Sequence, residues 1–515
     1  MNLFLFKKII VVTLFTNLIY TQMYIPADPF NLFAIEKKTI EDKNLPGSLL
    51  IRPIFYPDDQ NQNNWQLKFR SESYFNTNAP NLENTSNKWI GRGLSIFSSI
   101  NISYKGKYLA GSIEPFYFFN QNRDYDVPLR IPLLSGLNDN LAHDESPYQS
   151  AGLRETQIYL HYKGIGGGFS NANMWWGPGI HSSLMMTNNT SGFGHLMLGT
   201  LGEKRYKNWA FNGRYVFSKF DKKSLYEPYY TAVLIGITYY SNPIVTIGLS
   251  KAAQTGGTHV NADNVSVGQA MLAILKGFTA GDVSTYEERW STDDHTVAGY
   301  VETVFPKSKL KIFLEVGRND IAWDMDNLIL RPDHSIATVF GFRKYELFYN
   351  PNFLFGMEYA KLLSGRYIGR RPDIGPWYST SAYDYSKYDG RHWGAHSGPD
   401  SDDFTIYLGW TGNNMSIMPI FNYERHGLME PVIQTESGGE ESTINPYPEV
   451  KIEFRLDLRY KYKDYLINLY LERENIRNLE FREKKRTGTV IWIGIERDFY
   501  FNNLKKEINK ILNKS

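Results

Sequence analysis

The sequence predicts an all-β protein, a transmembrane antiparallel β-barrel of about eighteen strands with a short periplasmic N-terminal segment and a C-terminal helical tail. Three observations predict it. In Val450–Tyr462, the residues Val450, Ile452, Phe454, Leu456, Leu458, Tyr460 and Tyr462 alternate with Lys451, Glu453, Arg455, Asp457, Arg459 and Lys461. Successive strand side chains point to opposite faces, so one wall is apolar and the other charged. The run of about 13 residues is twice the usual soluble strand and long enough to cross a bilayer in a barrel. Second, the connections between strand-like stretches alternate long and short to the end of the chain. Third, the N-terminus reads as an export signal, and no later run is apolar enough for a spanning helix.

Residues 1–22 form the predicted signal peptide. Lys7 and Lys8 give a basic start, and Ile9 to Tyr20 is mostly apolar, too short for a spanning helix. The absence of cysteine excludes lipid attachment through an N-terminal cysteine, disulfides and thiolate metal sites. Residues 23–60 are expected in the periplasm, with a short helix over Phe33 to Lys43.

Residues 61–501 make the predicted barrel. Trp65 to Phe75 opens it. Ser95 to Tyr104, Tyr108 to Phe119, Glu155 to Tyr162 and Ile165 to Asn173 follow, then His195 to Leu201, Tyr206 to Phe217, Tyr229 to Tyr240 and Ile244 to Lys251. The second half supplies Thr296 to Val304, Leu310 to Val316, Ile336 to Tyr345, Asn352 to Leu363 and Phe404 to Trp410. Met415 to Tyr423, Val450 to Tyr462, Tyr465 to Arg473 and Thr487 to Phe501 close it. Alternation and β-branched and aromatic content pick out each one. Gly106-Lys107, Lys163-Gly164 and Lys463-Asp464 are among the short turns, and 120–154, 252–295, 364–403 and 424–449 among the long loops. Short periplasmic turns, long outer loops and an even strand count with both termini inside are what an outer-membrane barrel requires. Val267 to Leu275 is expected to be a helix inside an outer loop. Residues 502–515 form the tail, where Leu504, Ile508, Ile511 and Leu512 fall at helical spacing among lysines, an amphipathic cap on the periplasmic rim.

Composition agrees. Aromatic residues make up 15% of the chain while its mean hydropathy is only -0.40, because lumen-facing polar residues dilute the lipid-facing ones. The net charge of +2 gives no sign of nucleic-acid binding. Both signs of charge on the Lys451–Lys461 face can pair inside the barrel, which suggests a filled lumen over a wide ion-selective pore.

The densest unusual segment runs Asn173-Met174-Trp175-Trp176-Gly177-Pro178-Gly179-Ile180-His181-Ser182-Ser183-Leu184 and continues to Asn188-Asn189. Gly-Pro-Gly imposes a turn around a fixed proline. Trp175, Trp176, Gly177, Pro178 and Gly179, then Ser183 and Leu184, then Asn188 and Asn189, resemble the signature of the capsule assembly Wzi family of outer-membrane proteins. Asn422, Tyr423, Glu424 and Arg425, followed by His426 and Gly427, resemble its second recognisable stretch. Gly277-Phe278 through Asp282 and Arg289-Trp290 fit the intervening region. The resemblance implies an eighteen-stranded barrel that acts as a surface lectin for capsular polysaccharide and is not the polymer's export channel. The region before the first strand is short for the helical bundle that can plug such barrels.

Sugar recognition needs flat apolar faces and convergent donors and acceptors. The loop Gly365 to Asp403 offers Trp377, Tyr378, Tyr383, Tyr385, Tyr388, His392 and Trp393 among arginines and aspartates, and these seven are the candidate carbohydrate contacts. The competing reading is a loop that packs its aromatics on itself over the barrel mouth. No catalytic residue, cofactor or metal ligand is assigned. His181 beside Ser182-Ser183 lacks a placed acid, and Asp320, Asp324, Asp326 and Asn327 fit no standard calcium loop. The expected protein is a non-enzymatic outer-membrane lectin, a monomer among outer-membrane lipid that binds capsular or other exported polysaccharide. The alternative is a porin or nutrient channel.

Overall fold

The computed structural model describes residues 29–41, 48–52, 65–81, 83–258, 265–275, 293–319, 336–363, 377–378, 380–428, 433–434, 440–441 and 447–500. The predicted signal peptide, the C-terminal tail, Phe501, the stretch Gly277–Trp290 and the Asp320–Asn327 cluster lie outside them.

Eighteen strands form the wall. β1 (Trp65–Asn76), β2 (Gly93–Lys105), β3 (Leu109–Asn120), β4 (Tyr148–Tyr162), β5 (Ile165–Ser170) and β6 (His195–Thr200) come first. Next are β7 (Trp209–Lys219), β8 (Tyr229–Tyr239), β9 (Ile244–Thr255), β10 (Asp294–Phe305), β11 (Leu310–Asn319) and β12 (Ile336–Tyr345). Then come β13 (Phe353–Lys361), β14 (Ser401–Thr411), β15 (Met415–His426), β16 (Glu449–Tyr462), β17 (Tyr465–Leu479) and β18 (Lys484–Tyr500). Lys204–Tyr206 continues β6 along the same edge of β7. Each strand pairs antiparallel with its neighbour in sequence, and β1 pairs with β18 from Gln66↔Tyr500 to Asn76↔Val490, so the sheet closes and has no free edge.

All eighteen predicted stretches fall on these strands, and Ile336–Tyr345 matches end to end. The differences lie at the long-loop ends. β4 begins at Tyr148, seven residues before the predicted start, and β17 runs on to Leu479. Above the lipid, nothing enforces apolar alternation, so the pattern lapses while the ladder continues. β5 stops short, at Ser170. Asn171 then turns away, and its side chain accepts from Thr156 N at 2.8 Å and donates to Leu153 O at 2.9 Å, capping the upper edge of β4.

The outward face is an apolar band that includes Phe69, Ile100, Ile158, Leu160, Leu198, Ile237, Ile247 and Ile493, all exposed. Rings gather at the short-turn rim, where exposed Trp65 meets half-buried Tyr104 at 4.7 Å, Trp209 meets Tyr239 at 4.6 Å and Tyr108 stacks on Tyr162 at 6.3 Å. Amphipathic rings belong at such an interface. Inside, the β16 charges pair along the strand: Lys451 Nζ lies 3.2 Å from Glu453, and Arg455 Nε lies 3.2 Å from Asp457.

Of the segment 23–60, expected in the periplasm, residues 29–41 and 48–52 are described. Helix α1 (Pro29–Glu41) occupies the short-turn end of the lumen, starting four residues earlier than predicted. Proline suits the first helical turn, where its missing N–H costs nothing. Phe30, Phe33 and Ile40 pack on Tyr345, Leu354, Tyr407 and Met418 of the wall. Glu36, fully enclosed, receives Lys311 at 2.9 Å, Arg343 at 2.6 Å and Tyr345 Oη at 2.7 Å. Each of these buried cations also pairs with a wall carboxylate, Lys311 with Glu302 at 2.7 Å and Arg343 with Glu358 at 3.1 Å, so Glu36 joins the helix to a charge network of the wall. Among the described residues before β1, this helix enters the lumen. The predicted loop helix is present as α2 (Val267–Leu272), with a 3-10 turn to Leu275 and a capping box between Ser266 and Gln269.

Candidate functional site: a plug of two loops in the lumen

An eighteen-strand lumen is too wide for wall side chains to fill. Here the loop 171–194, between β5 and β6, folds inward and fills it. Trp176 bridges Ile51 on one side and Met186 on the other, in antiparallel fashion, and is fully buried. Trp175 is buried too, with the Arg52 guanidinium 3.9 Å above its ring. Gly177 N donates to Leu50 O at 2.9 Å. Its φ of +143° lies where side chains are disfavoured, and a Cβ there would meet Ser183 Oγ at 2.3 Å.

Wall carboxylates anchor the turn. Glu358 on β13 accepts Ile180 N at 2.8 Å and His181 N at 2.9 Å, and Glu315 on β11 accepts Leu184 N at 3.0 Å. Arg343 on β12 donates to Pro178 O at 2.8 Å and pairs with Glu358 at 3.1 Å. Ser183 Oγ donates to Trp176 O. Asn188 and Asn189 tie the loop to its neighbours. Asn188 Nδ2 donates to Asn84 O at 3.0 Å, and Asn189 Nδ2 to His392 O at 3.0 Å. The first motif is therefore a docking device for the wall and the adjoining loops.

Six of the seven candidate sugar contacts are buried. Trp377, Tyr378, Tyr383, Tyr388, His392 and Trp393 are all buried, and the most exposed, Trp393, reaches only 4%. Tyr385 is half-buried. They form the second half of the plug. Tyr378 Oη donates to Leu184 O at 2.6 Å, and its ring stacks on His392 at 5.1 Å. Trp393 packs on Phe220 at 5.5 Å and on Tyr230 at 5.7 Å, and Phe193 on Tyr388 at 5.5 Å. Burial pushes the His392 imidazole down to about 3, so it is neutral. A ring with no accessible face cannot stack on a sugar. The rings fill the barrel from within, and the wide lumen is the physical reason.

The second motif stretch lies on β15 and splits by face. Asn422, Glu424 and His426 point inward, whereas Tyr423 and Arg425 lie on the other side, with Arg425 Nε donating to Asp402 at 2.9 Å. Asn422 Nδ2 donates to Asp403 Oδ1 at 2.6 Å, and Glu424 receives Lys451 at 3.1 Å.

The plug leaves space beside it. A cavity of about 170 Å³ lies between the plug and the β1, β15–β18 wall, lined by Glu72, Lys88, Arg154, His181, Asp457 and Trp492 among others. Tyr74 stacks on Trp492 beside it at 5.6 Å. Sequence reasoning placed these rings on strands but gave no sign that they frame a cavity.

Residues 70–489 match the family model described as capsule assembly protein Wzi. No curated protein sequence matches the chain. Among solved structures the chain is similar to Wzi of Escherichia coli, an outer membrane protein involved in group 1 capsule assembly and a carbohydrate-binding β-barrel. The TM-score is 0.55 at 11% identity, over 84% of this chain and 85% of that one. OpdL of Pseudomonas aeruginosa gives a TM-score of 0.40 at 9% identity over 85% and 99% of the two chains, too low to carry an argument. The match over most of the length, together with the eighteen-strand barrel and both motif stretches, establishes that this chain belongs to the capsule assembly protein Wzi family.

Proposed function

We propose that the protein is an outer-membrane surface lectin. It binds capsular or other exported polysaccharide at its long-loop face and helps attach and assemble that polymer on the cell surface. It acts as a monomer with both termini in the periplasm. The observation that supports this reading is what occupies the lumen: among the described residues, α1 packs inside the wall at one end, and two loops pack inside it from the other. Family membership and the carbohydrate-binding relative from Escherichia coli support the same choice.

With the plug aromatics buried, the contacts fall to the outer layer. The loop 121–147 presents Arg123, Asp124 and Asp126 beside exposed Leu129 and Ile131, the mixture of polar groups and apolar surface that sugars require. Such shallow sites bind each sugar weakly, and a long polymer compensates by engaging many copies. A non-enzymatic role is part of this reading, supported by the Ser183 hydroxyl, which donates to Trp176 O, and by His181, which faces Asp403.

The test is binding of polysaccharide from the same cell to purified protein in detergent, together with capsule retention in a deletion strain. Binding by wild type and shedding of polymer by the deletion strain are expected. No binding and full retention would overturn the reading. The cavity of about 170 Å³ is the one observation that favours the second reading, a channel.

A further inference from the structure

Four ligand-type side chains from four separate segments meet where the plug touches the wall. His181 follows the Gly-Pro-Gly turn, His396 lies in the second plug loop, Asp403 is on β14 and Glu424 is on β15. One ligand atom from each lies within 4.8 Å of all the others. His181 Nε2 is 2.9 Å from Asp403 Oδ2, and His396 Nε2 is 3.3 Å from both Asp403 Oδ2 and Glu424 Oε1.

Hydrogen bonding explains this cluster poorly. One imidazole N–H shared between two oxygens makes only a weak three-centre bond, and 3.3 Å is long for a charge-assisted bond, which runs about 2.7–2.9 Å. Asp403 is 1% exposed; His181 Nε2 reaches its Oδ1 at 3.2 Å, while its Oδ2, aimed into the cluster, has no partner in hydrogen-bond geometry even though His181 Nε2 lies 2.9 Å away. Among the ion pairs of the described residues, Asp403 faces two imidazoles and neither a lysine nor an arginine. Glu424, by contrast, already has Lys451 at 3.1 Å and His426 at 3.1 Å.

Metal chemistry explains it better. Zinc bound at about 2.0–2.1 Å sets ligand atoms about 3.3 Å apart along the edges of a tetrahedron. The observed 2.9, 3.3 and 3.3 Å are near that edge. Two neutral imidazoles and two carboxylates also balance a divalent charge, and nitrogen with oxygen ligands suits zinc and its first-row neighbours. Asn422, donating to Asp403 Oδ1 at 2.6 Å, supplies the outer hydrogen bond that orients such a ligand. We propose that His181, His396, Asp403 and Glu424 form a structural site for a divalent transition metal, zinc foremost, that staples both plug loops to strands β14 and β15.

The test uses the full chain without a polyhistidine tag, purified from outer membranes in detergent and without chelator. Elemental analysis should find about one zinc per chain. After stripping with a chelator, Co2+ should restore stoichiometric binding with the visible absorption of a tetrahedral ion. His396→Ala and Asp403→Asn should each lower zinc content at least tenfold, and Asn422→Ala should weaken affinity by about 10–100-fold. Heat-modifiable gel mobility reports whether each variant assembles. If none does, the cobalt titration of stripped wild type decides alone. Absence of zinc together with no cobalt absorption overturns the proposal, as does undiminished zinc in folded His396→Ala and Asp403→Asn.

Discussion

Arg343 on β12 holds Glu36 on α1 through two parallel hydrogen bonds, Nε to Oε1 at 2.6 Å and Nη2 to Oε2 at 2.8 Å. The same guanidinium reaches Pro178 O, so one wall residue joins the helix entering from the short-turn end to the motif turn entering from the other. A planar fork makes that double contact, and a point charge on a flexible stem does not.

Glu36→Ala would leave Arg343 with Glu358 alone and Lys311 with Glu302 alone. It is expected to lower unfolding stability by about 3 kcal/mol, the scale of a broken buried pair. Arg343→Lys should not restore wild-type behaviour. Denaturant unfolding in detergent measures both, and an unchanged midpoint for Glu36→Ala would remove the pair from the account of stability.

Burial alone would raise the Glu36 carboxyl, but Arg343 and Lys311 outweigh it and hold the group well below its ordinary 4.5. A carboxyl depressed in this way contributes stability that is fully present above its unfolded value and is lost as pH falls toward its folded one. The stability gap between wild type and Glu36→Gln should therefore stay constant from about pH 7 to about pH 5. Below 4.5 it should shrink by roughly 1.4 kcal/mol per pH unit. A gap that persists at about pH 3 contradicts the pairing.

Trp393→Ala and Trp377→Ala should act on the plug and not on a sugar. Each empties a large buried volume and is expected to cost about 3–5 kcal/mol. Polysaccharide affinity measured well below the melting temperature should stay near wild type. Arg123→Ala, on the exposed loop, should do the reverse. Intact stability with lost binding in Trp393→Ala would return that ring to the sugar site.

Planar bilayers should show little or no steady conductance from wild type. Gly177→Val forces a branched side chain into positive φ and against Ser183, at a cost of about 1–3 kcal/mol from the backbone alone. It should loosen the turn and produce frequent openings. Large stable steps from wild type would move the channel reading ahead.

The strands were legible because lipid enforces alternation at every rung. In β16, Val450, Ile452 and Phe454 alternate with Lys451, Glu453 and Arg455, a pattern that the edge of a soluble sheet can also carry and that loop parity along the chain resolved. The site was not legible. Trp377 and Trp393 look alike whether they face a sugar or a packed interior, and loop sequence carries no period that separates the two. The missing step was geometric: eighteen strands enclose more space than their side chains fill, so long aromatic loops belong inside. Glu36 read as a periplasmic charge because its partners lie 275 and 307 residues away. The meeting of His181, His396, Asp403 and Glu424 has the same cause, since no spacing rule connects four segments that only the closed sheet brings together.

β5 has six residues where its neighbour β4 has fifteen. Six residues reach about 20 Å along a strand and less in height once tilted, short of the nine to eleven or so that a spanning strand uses. Lipid beside Phe169, Leu196 and Leu198 therefore meets a low wall, while lipid beside β16 to β18 meets a tall one. Hydrophobic mismatch is concentrated on one flank, and the bilayer must thin there or the barrel must lean. That flank is also where the Trp-Trp-Gly-Pro-Gly loop leaves the wall, so the same shortening that frees the chain to fill the lumen sets how the protein deforms the membrane around it.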